Sequence, residues 1–182
     1  LVGEWSDVDV PTTDWDRATT SCMSVLHAFF GDARWSRISE TIARHERAAI
    51  PQSHLMPTVQ ECFGRLVSQQ TAIITLLPGD VATDVLEFHG LRVGQEIDVV
   101  VGRDPAMRPK PEPDGVIDAC RILGVAPGSA TMIGDSTWDA QAALAAGATF
   151  VGVPADGFEE DMRERIATAP TMDQALQGLG LE

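Results

Sequence analysis

The chain has 182 residues, 44% of them hydrophobic, enough for one full domain with a sizeable core and a small appended lobe. Its 13 Lys and Arg stand against 27 Asp and Glu, a formal charge of −14, which argues against nucleic acid and anionic membrane as partners. No apolar run reaches the roughly 20 residues of a membrane span, and the N-terminus lacks a signal-peptide pattern, so a soluble, cytoplasmic setting and a small partner molecule are expected.

Three cysteines, Cys22, Cys62 and Cys120, are far apart and without metal-ligand spacing, so they read as reduced and mostly buried. The opening LVGEWSDVDVPTTD does not begin with Met, and the chain can be a part of a longer product.

From Asp14 to about Ala49 the pattern is helical. Ala18, Cys22, Val25, Leu26 and Phe29 recur at spacings of three and four, and Gly31 ends that helix. A second amphipathic helix carries Trp35, Ile38, Ile42 and His45 on one face and closes at Pro51. From Pro57 the texture changes: helix PTVQECFGRLVSQ, strand TAIITLL, turn PGD, helix VATDVLEFHG, strand IDVVVG, a proline-rich turn, helix PDGVIDACRILG, strand SATMIG, helix DAQAALAAG and strand ATFVGV. This alternation predicts an α/β fold, a doubly wound, Rossmann-like parallel sheet with helices on both faces, and the continuous apolar strands fit a sheet covered on both sides. Two short helices separated at Pro170 are expected at the end.

Ligands of such sheets sit beyond the carboxyl ends of the strands. Thr75 ends TAIIT, Lys110 lies in RPKPEP after IDVVVG, and Asp135 and Asp139 follow TMIG. Gly134 is expected to let the backbone turn sharply, presenting Asp135 at the sheet edge with Asp139 one helical turn on. A pair of hard oxygen ligands suits Mg²⁺, which completes its shell with water and substrate phosphate. The competing reading is an Asp N-cap on the following helix with Asp139 solvated. Lys110, between Pro109 and Pro111, sits in a stiff turn from which it could neutralise a phosphate and a carboxylate, although as a bare surface lysine it would need no explanation. Thr75 alone is a weak signal, because threonine is common in strands. His27, His45, His54 and His89 share no metal-ligand spacing, and Phe29 and Trp35 read as contacts between helices.

In this order and spacing, residues 55 to 155 resemble the haloacid dehalogenase-like (HAD) superfamily, in its phosphoglycolate phosphatase-like branch. The specific signal is the Lys-Pro-x-Pro turn followed some 25 residues later by GDSxxDxxAAxxAG. The resemblance implies that Thr75 hydrogen-bonds the transferring phosphoryl group, that Lys110 steadies nucleophile and substrate charge, and that Asp135 and Asp139 position Mg²⁺. It also implies Mg²⁺-dependent phosphomonoester hydrolysis through an aspartyl-phosphate on a small phosphorylated metabolite. The GDS motif with Asp139 favours phosphoryl transfer over dehalogenation. Leu76 and Leu77 stand where the family more often has small or polar residues.

The family's first motif, Asp-x-Asp-Gly-Thr on the central strand, has no full match. Its nearest equivalent is SDVDVPTTD, with Asp7 as nucleophile and Asp9 as acid/base, but Val10 and Pro11 replace Gly and Thr, and Glu4 would be buried in the strand LVGEWS. An acidic loop is the plainer reading of that segment, and a first strand lying upstream of Leu1 is a third. The domain expectation is a helical cap over 12–50 and an α/β core over 51–182, the first strand falling within 1–10 or outside this chain. The rival functional expectation is a non-catalytic or N-terminally truncated HAD-like protein that keeps a phosphate and metal site for a binding or regulatory role. Substrate and oligomeric state have no readable code.

Overall fold

The computed structural model describes residues 7, 8 and 18–181, leaving aside the side chains of 18–20. Two helices open the described chain, α1 (Ala18–Ala28) and α2 (Trp35–Ala49), turned at Gly31, whose φ of 82° is the left-handed value that glycine tolerates. Their apolar faces pack on each other through Val25, Leu26, Phe29, Trp35 and Ile38, a cluster of their own. The Trp35 indole N–H donates to the Leu26 carbonyl at 3.1 Å, so the largest ring of this cluster is buried without an orphaned donor. Ile42 is only partly buried against the cluster.

Five short parallel strands follow, interleaved with helices: α3 (Val59–Arg65), β1 (Ala72–Pro78), α4 (Gly79–Phe88), β2 (Val99–Arg103), α5 (Asp114–Leu123), β3 (Thr131–Gly134), α6 (Thr137–Ala146), β4 (Thr149–Gly152), α7 (Glu160–Arg163), β5 (Ala167–Thr168) and α8 (Met172–Gly178). The α/β alternation read from the sequence is therefore present. Two details differ. The PGD turn is absent because α4 begins directly at Gly79. A two-residue strand, β5, lies between the two C-terminal helices, too short to leave a periodic signal, and pairs with β4 through Val151 and Gly152.

The strands form two sheets, β1-β2 and β3-β4-β5. Among the described residues, β1 pairs only with β2 and β3 only with β4, and their free edges line one groove of 560 Å³. Thr71, Ile73 and Ile74 line it from β1 and the turn before it, and Ala130, Met132 and Ile133 from β3 and its approach. This is why β1, an unbroken apolar run, is only half-buried along its length. The main core lies behind β3 and β4, where Val116, Cys120, Ala140, Ala143, Phe150, Phe158 and Met162 meet. The three cysteines are free, with Cys62 and Cys120 buried and Cys22 half-buried.

Candidate active site

Two elements deliver the polar residues to one place. Lys110 comes from the turn between β2 and α5, and Asp139 from the first turn of α6, just after β3. The Lys110 ammonium donates to Asp139 Oδ1 at 2.5 Å and to the Ile74 carbonyl on β1 at 3.3 Å. Its side chain is 13% exposed and that of Asp139 6%, so the pair is sheltered from screening and Lys110 is not a bare surface lysine.

The start of α6 explains how a carboxylate comes to be buried there. Ser136 is the N-cap and Asp139 the N3 residue of a capping box: Asp139 N–H donates to Ser136 Oγ at 3.2 Å, while Asp139 Oδ2 accepts from the Ser136 N–H at 3.2 Å and from its hydroxyl at 2.6 Å. The helix N-terminus adds its partial positive charge. Two sequence expectations are corrected by this arrangement. The N-cap is Ser136, not Asp135, and Asp139 is not solvated. Gly134, too, serves differently from the sharp turn anticipated: its φ is not positive, but a Cβ there would lie 2.8 Å from the Asp139 Cβ, so glycine supplies room for the buried carboxylate.

Asp135, directly after β3, is exposed. Thr75 does not end its strand as anticipated but lies in the middle of β1, which runs on through Leu76, Leu77 and Pro78, and its Oγ accepts the Leu77 N–H at 3.2 Å. Thr75 and Lys110 line one small cleft with Gly102, Arg103, Asp104 and Arg108. Of the four residues singled out from the sequence, Lys110 and Asp139 are in direct contact, Thr75 and Lys110 share the cleft, and Asp135 immediately precedes the Ser136 N-cap of α6.

For a divalent cation the donors are unequal. Both Asp139 oxygens are engaged, and among the described residues no three His, Cys, Asp or Glu side chains group as a metal site. Asp135 is the exposed carboxylate here, and a hard cation such as Mg²⁺ held by it would take the rest of its shell from water and phosphate oxygens.

Asp7 is found elsewhere. It makes a bidentate pair with Arg34 at the α1–α2 turn, 2.8 and 3.1 Å, and Arg34 also binds Asp32 at 2.8 Å. The Arg34 guanidinium holds the Asp7 carboxyl below its usual range and lowers that of Asp32 to about 2. A carboxylate so committed does not join the Lys110–Asp139 pair. Asp9 lies outside the described residues. His27, read as a helix-surface or packing residue, packs at a tilt against Trp138 of the α6 first turn, centroids 6.1 Å apart, linking α1 to the site loop. Sequence spacing alone gave no sign of that contact.

An open α/β architecture of parallel strands and covering helices, with the Lys110–Asp139 pair at the strand ends, is the class that this fold and site define. Residues 22–153 match the model of the haloacid dehalogenase-like hydrolase family, and the chain belongs to that family. It is 33% identical over 176 residues to a phosphoglycolate phosphatase of Shigella boydii, covering 94% of this chain and 65% of the relative. A phosphoglycolate phosphatase of Escherichia coli K12 is 33% identical over 70% of this chain and 52% of its own length. The chain thus spans between half and two thirds of these curated relatives. Among solved structures, a hydrolase from Pseudomonas syringae superposes with a TM-score of 0.66 at 28% identity, covering 81% of this chain and 68% of that one. A HAD phosphatase from Thermococcus onnurineus gives 0.66 at 23% identity, covering 92% and 81%. No described helix is long and apolar enough to cross a membrane.

Proposed function

We propose that this chain carries the greater part of a phosphomonoester hydrolase that acts, with Mg²⁺, on a small phosphorylated metabolite through an aspartyl-phosphate. The observation that carries the reading is the Lys110 ammonium, held between the end of β1 and the buried Asp139 carboxylate. There it is fixed in place to meet phosphoryl oxygens at the strand ends. Thr75 Oγ hydrogen-bonds the transferring group, and Asp135 is the carboxylate that holds the cation. Asp139 balances the Lys110 charge and keeps the ammonium from collapsing onto Asp135. A bound Mg²⁺ supplies positive charge to the phosphate oxygens. In the first half-reaction an aspartate oxygen bonds to phosphorus as the ester oxygen leaves with a proton from the acid/base residue. Water then attacks the acyl phosphate, releasing phosphate and restoring the carboxylate. The helices α1 and α2 act as the cap that selects the substrate, above a core that begins near residue 51.

A second reading has its own support: the described Asp7 is tied to Arg34, so a non-catalytic HAD-like protein, or one whose first motif lies outside this chain, would keep the phosphate and metal site for binding. Phosphate release from p-nitrophenyl phosphate, with and without Mg²⁺, separates the two when run beside Asp135→Asn and Asp7→Asn. Mg²⁺-dependent release abolished in Asp135→Asn supports the hydrolase, and its loss in Asp7→Asn as well would make Asp7 the nucleophile. No release from a folded protein that binds Mg²⁺ supports the binding role.

A further inference from the structure

At the carboxyl end of β1 the ladder to β2 breaks. Ile74 pairs with Val101 and Pro78 with Arg103, so Thr75, Leu76 and Leu77 stand opposite the single residue Gly102. Gly102 permits this crowding: a Cβ there would lie 2.3 Å from the Gly79 nitrogen and 2.6 Å from its Cα. Irregularities of this kind re-aim side chains, and here Thr75 is one of the three residues within it.

Arg103 holds the irregular segment in place. Its Nη1 donates to the Leu76 carbonyl at 2.7 Å and to Glu46 Oε1 at 3.2 Å, its Nη2 to Glu46 Oε2 at 3.0 Å and to the Ser39 carbonyl at 3.0 Å, and its Nε to Ser39 Oγ at 2.8 Å. All five N–H groups are used, and the side chain is 1% exposed. Ser39 and Glu46 belong to α2, so one guanidinium joins that helix to the strand segment carrying Thr75.

We propose that Arg103 is a positioning residue: it fixes the Thr75–Leu77 segment and couples its geometry to α2, so that displacement of α2 is transmitted to the Thr75 hydroxyl. The functional weight of this coupling rests on the reading of Thr75 as a phosphoryl ligand. Lysine cannot replace the fork, because a single ammonium cannot reach Leu76, Glu46 and Ser39 in one plane.

The test is site-resolved amide exchange in the parent, Arg103→Lys, Arg103→Met and Glu46→Gln. Glu46→Gln keeps the Arg103–Leu76 bond and alters only the α2 side, so it reports on transmission even if the Arg103 variants fail to fold. The expected result is exchange about tenfold faster at Leu76 and Leu77 in Arg103→Lys and Glu46→Gln, with Phe150 and Val151 of β4 unchanged, as follows from losing a charge-assisted buried hydrogen bond. Where p-nitrophenyl phosphate is hydrolysed, its KM rises more than kcat falls. Loosening of α2 in Glu46→Gln with Leu76 and Leu77 unmoved would overturn the proposal, and so would a uniform rise that includes β4. The exchange measurement needs no turnover: a chain that hydrolyses nothing yet responds at Leu76 and Leu77 counts against catalysis by this chain alone and leaves the coupling standing.

Discussion

Removing the Lys110 ammonium while keeping its stem, as in Lys110→Met, leaves the Asp139 carboxylate in place with its counter-charge gone. Asp139 is 4% exposed, and Oδ1 loses its 2.5 Å partner, while Oδ2 keeps the Ser136 hydroxyl and N–H. Breaking one side of a buried pair costs about 3–5 kcal/mol, and the two remaining donors and the 13% exposure of Lys110 favour the low end, about 3 kcal/mol. For a chain of this size that is a fall of roughly 6–12 °C in Tm. The assay is a double-mutant cycle of Lys110→Met, Asp139→Asn and the double variant, followed by thermal unfolding. The double variant should be about 2 kcal/mol or more better than the sum of the singles, since it leaves no lone charge behind. Additivity to within about 0.5 kcal/mol would refute the argument that these groups stabilise each other in a sheltered site.

Gly134→Ala places a methyl 2.8 Å from the Asp139 Cβ and 3.0 Å from its Cγ; it should cost about 1–3 kcal/mol in thermal unfolding and displace the Lys110 contact. On acidification, the Asp7 and Asp32 carboxyls, both lowered by Arg34, contribute stability that is complete above the unfolded value of 3.8 and is lost as pH falls below it, for Asp32 toward about 2. The Arg34 Nε–H resonance should therefore hold steady to about pH 4 and shift below it, whereas a midpoint at the ordinary aspartate value would contradict the Arg34 pairing. Burial raises the Cys22 and Cys120 thiols, so iodoacetamide at pH 8 should label both more slowly in the folded chain than in urea. Equal rates would show these thiols to be open.

The order of elements was legible because each strand is a compact apolar run and each helix a periodic one, and the turn around Lys110 and the GDS stretch pointed to one end of the sheet. The capping box was not read: the sequence offered an Asp N-cap, whereas Ser136 caps the helix and Asp139 three residues on completes the box. Other features carried no local trace. An arginine closing an apolar strand is unremarked in a sequence, and the partners of Arg103, Ser39 and Glu46, are 64 and 57 residues away. The division into two sheets is equally hidden, because hydrophobicity reports that β1 and β3 seek cover, not which neighbour provides it. Gly134 was anticipated for its freedom of φ, yet close approach of a side chain is what requires it, a demand visible only in three dimensions.

The two sheets also have a mechanical meaning. Among the described residues no backbone ladder crosses from β1 to β3, so load passing between the halves travels through helices and side chains: α5, which packs on β1, β2 and α6, α3 against α8 with the Arg65–Asp173 ion pair, and the Lys110 ammonium bridging Ile74 to Asp139. The lysine is a rivet as well as a charge. Shear of one plate against the other loads these contacts, and the lysine proposed to meet an anion is one of the groups that keep the plates in register.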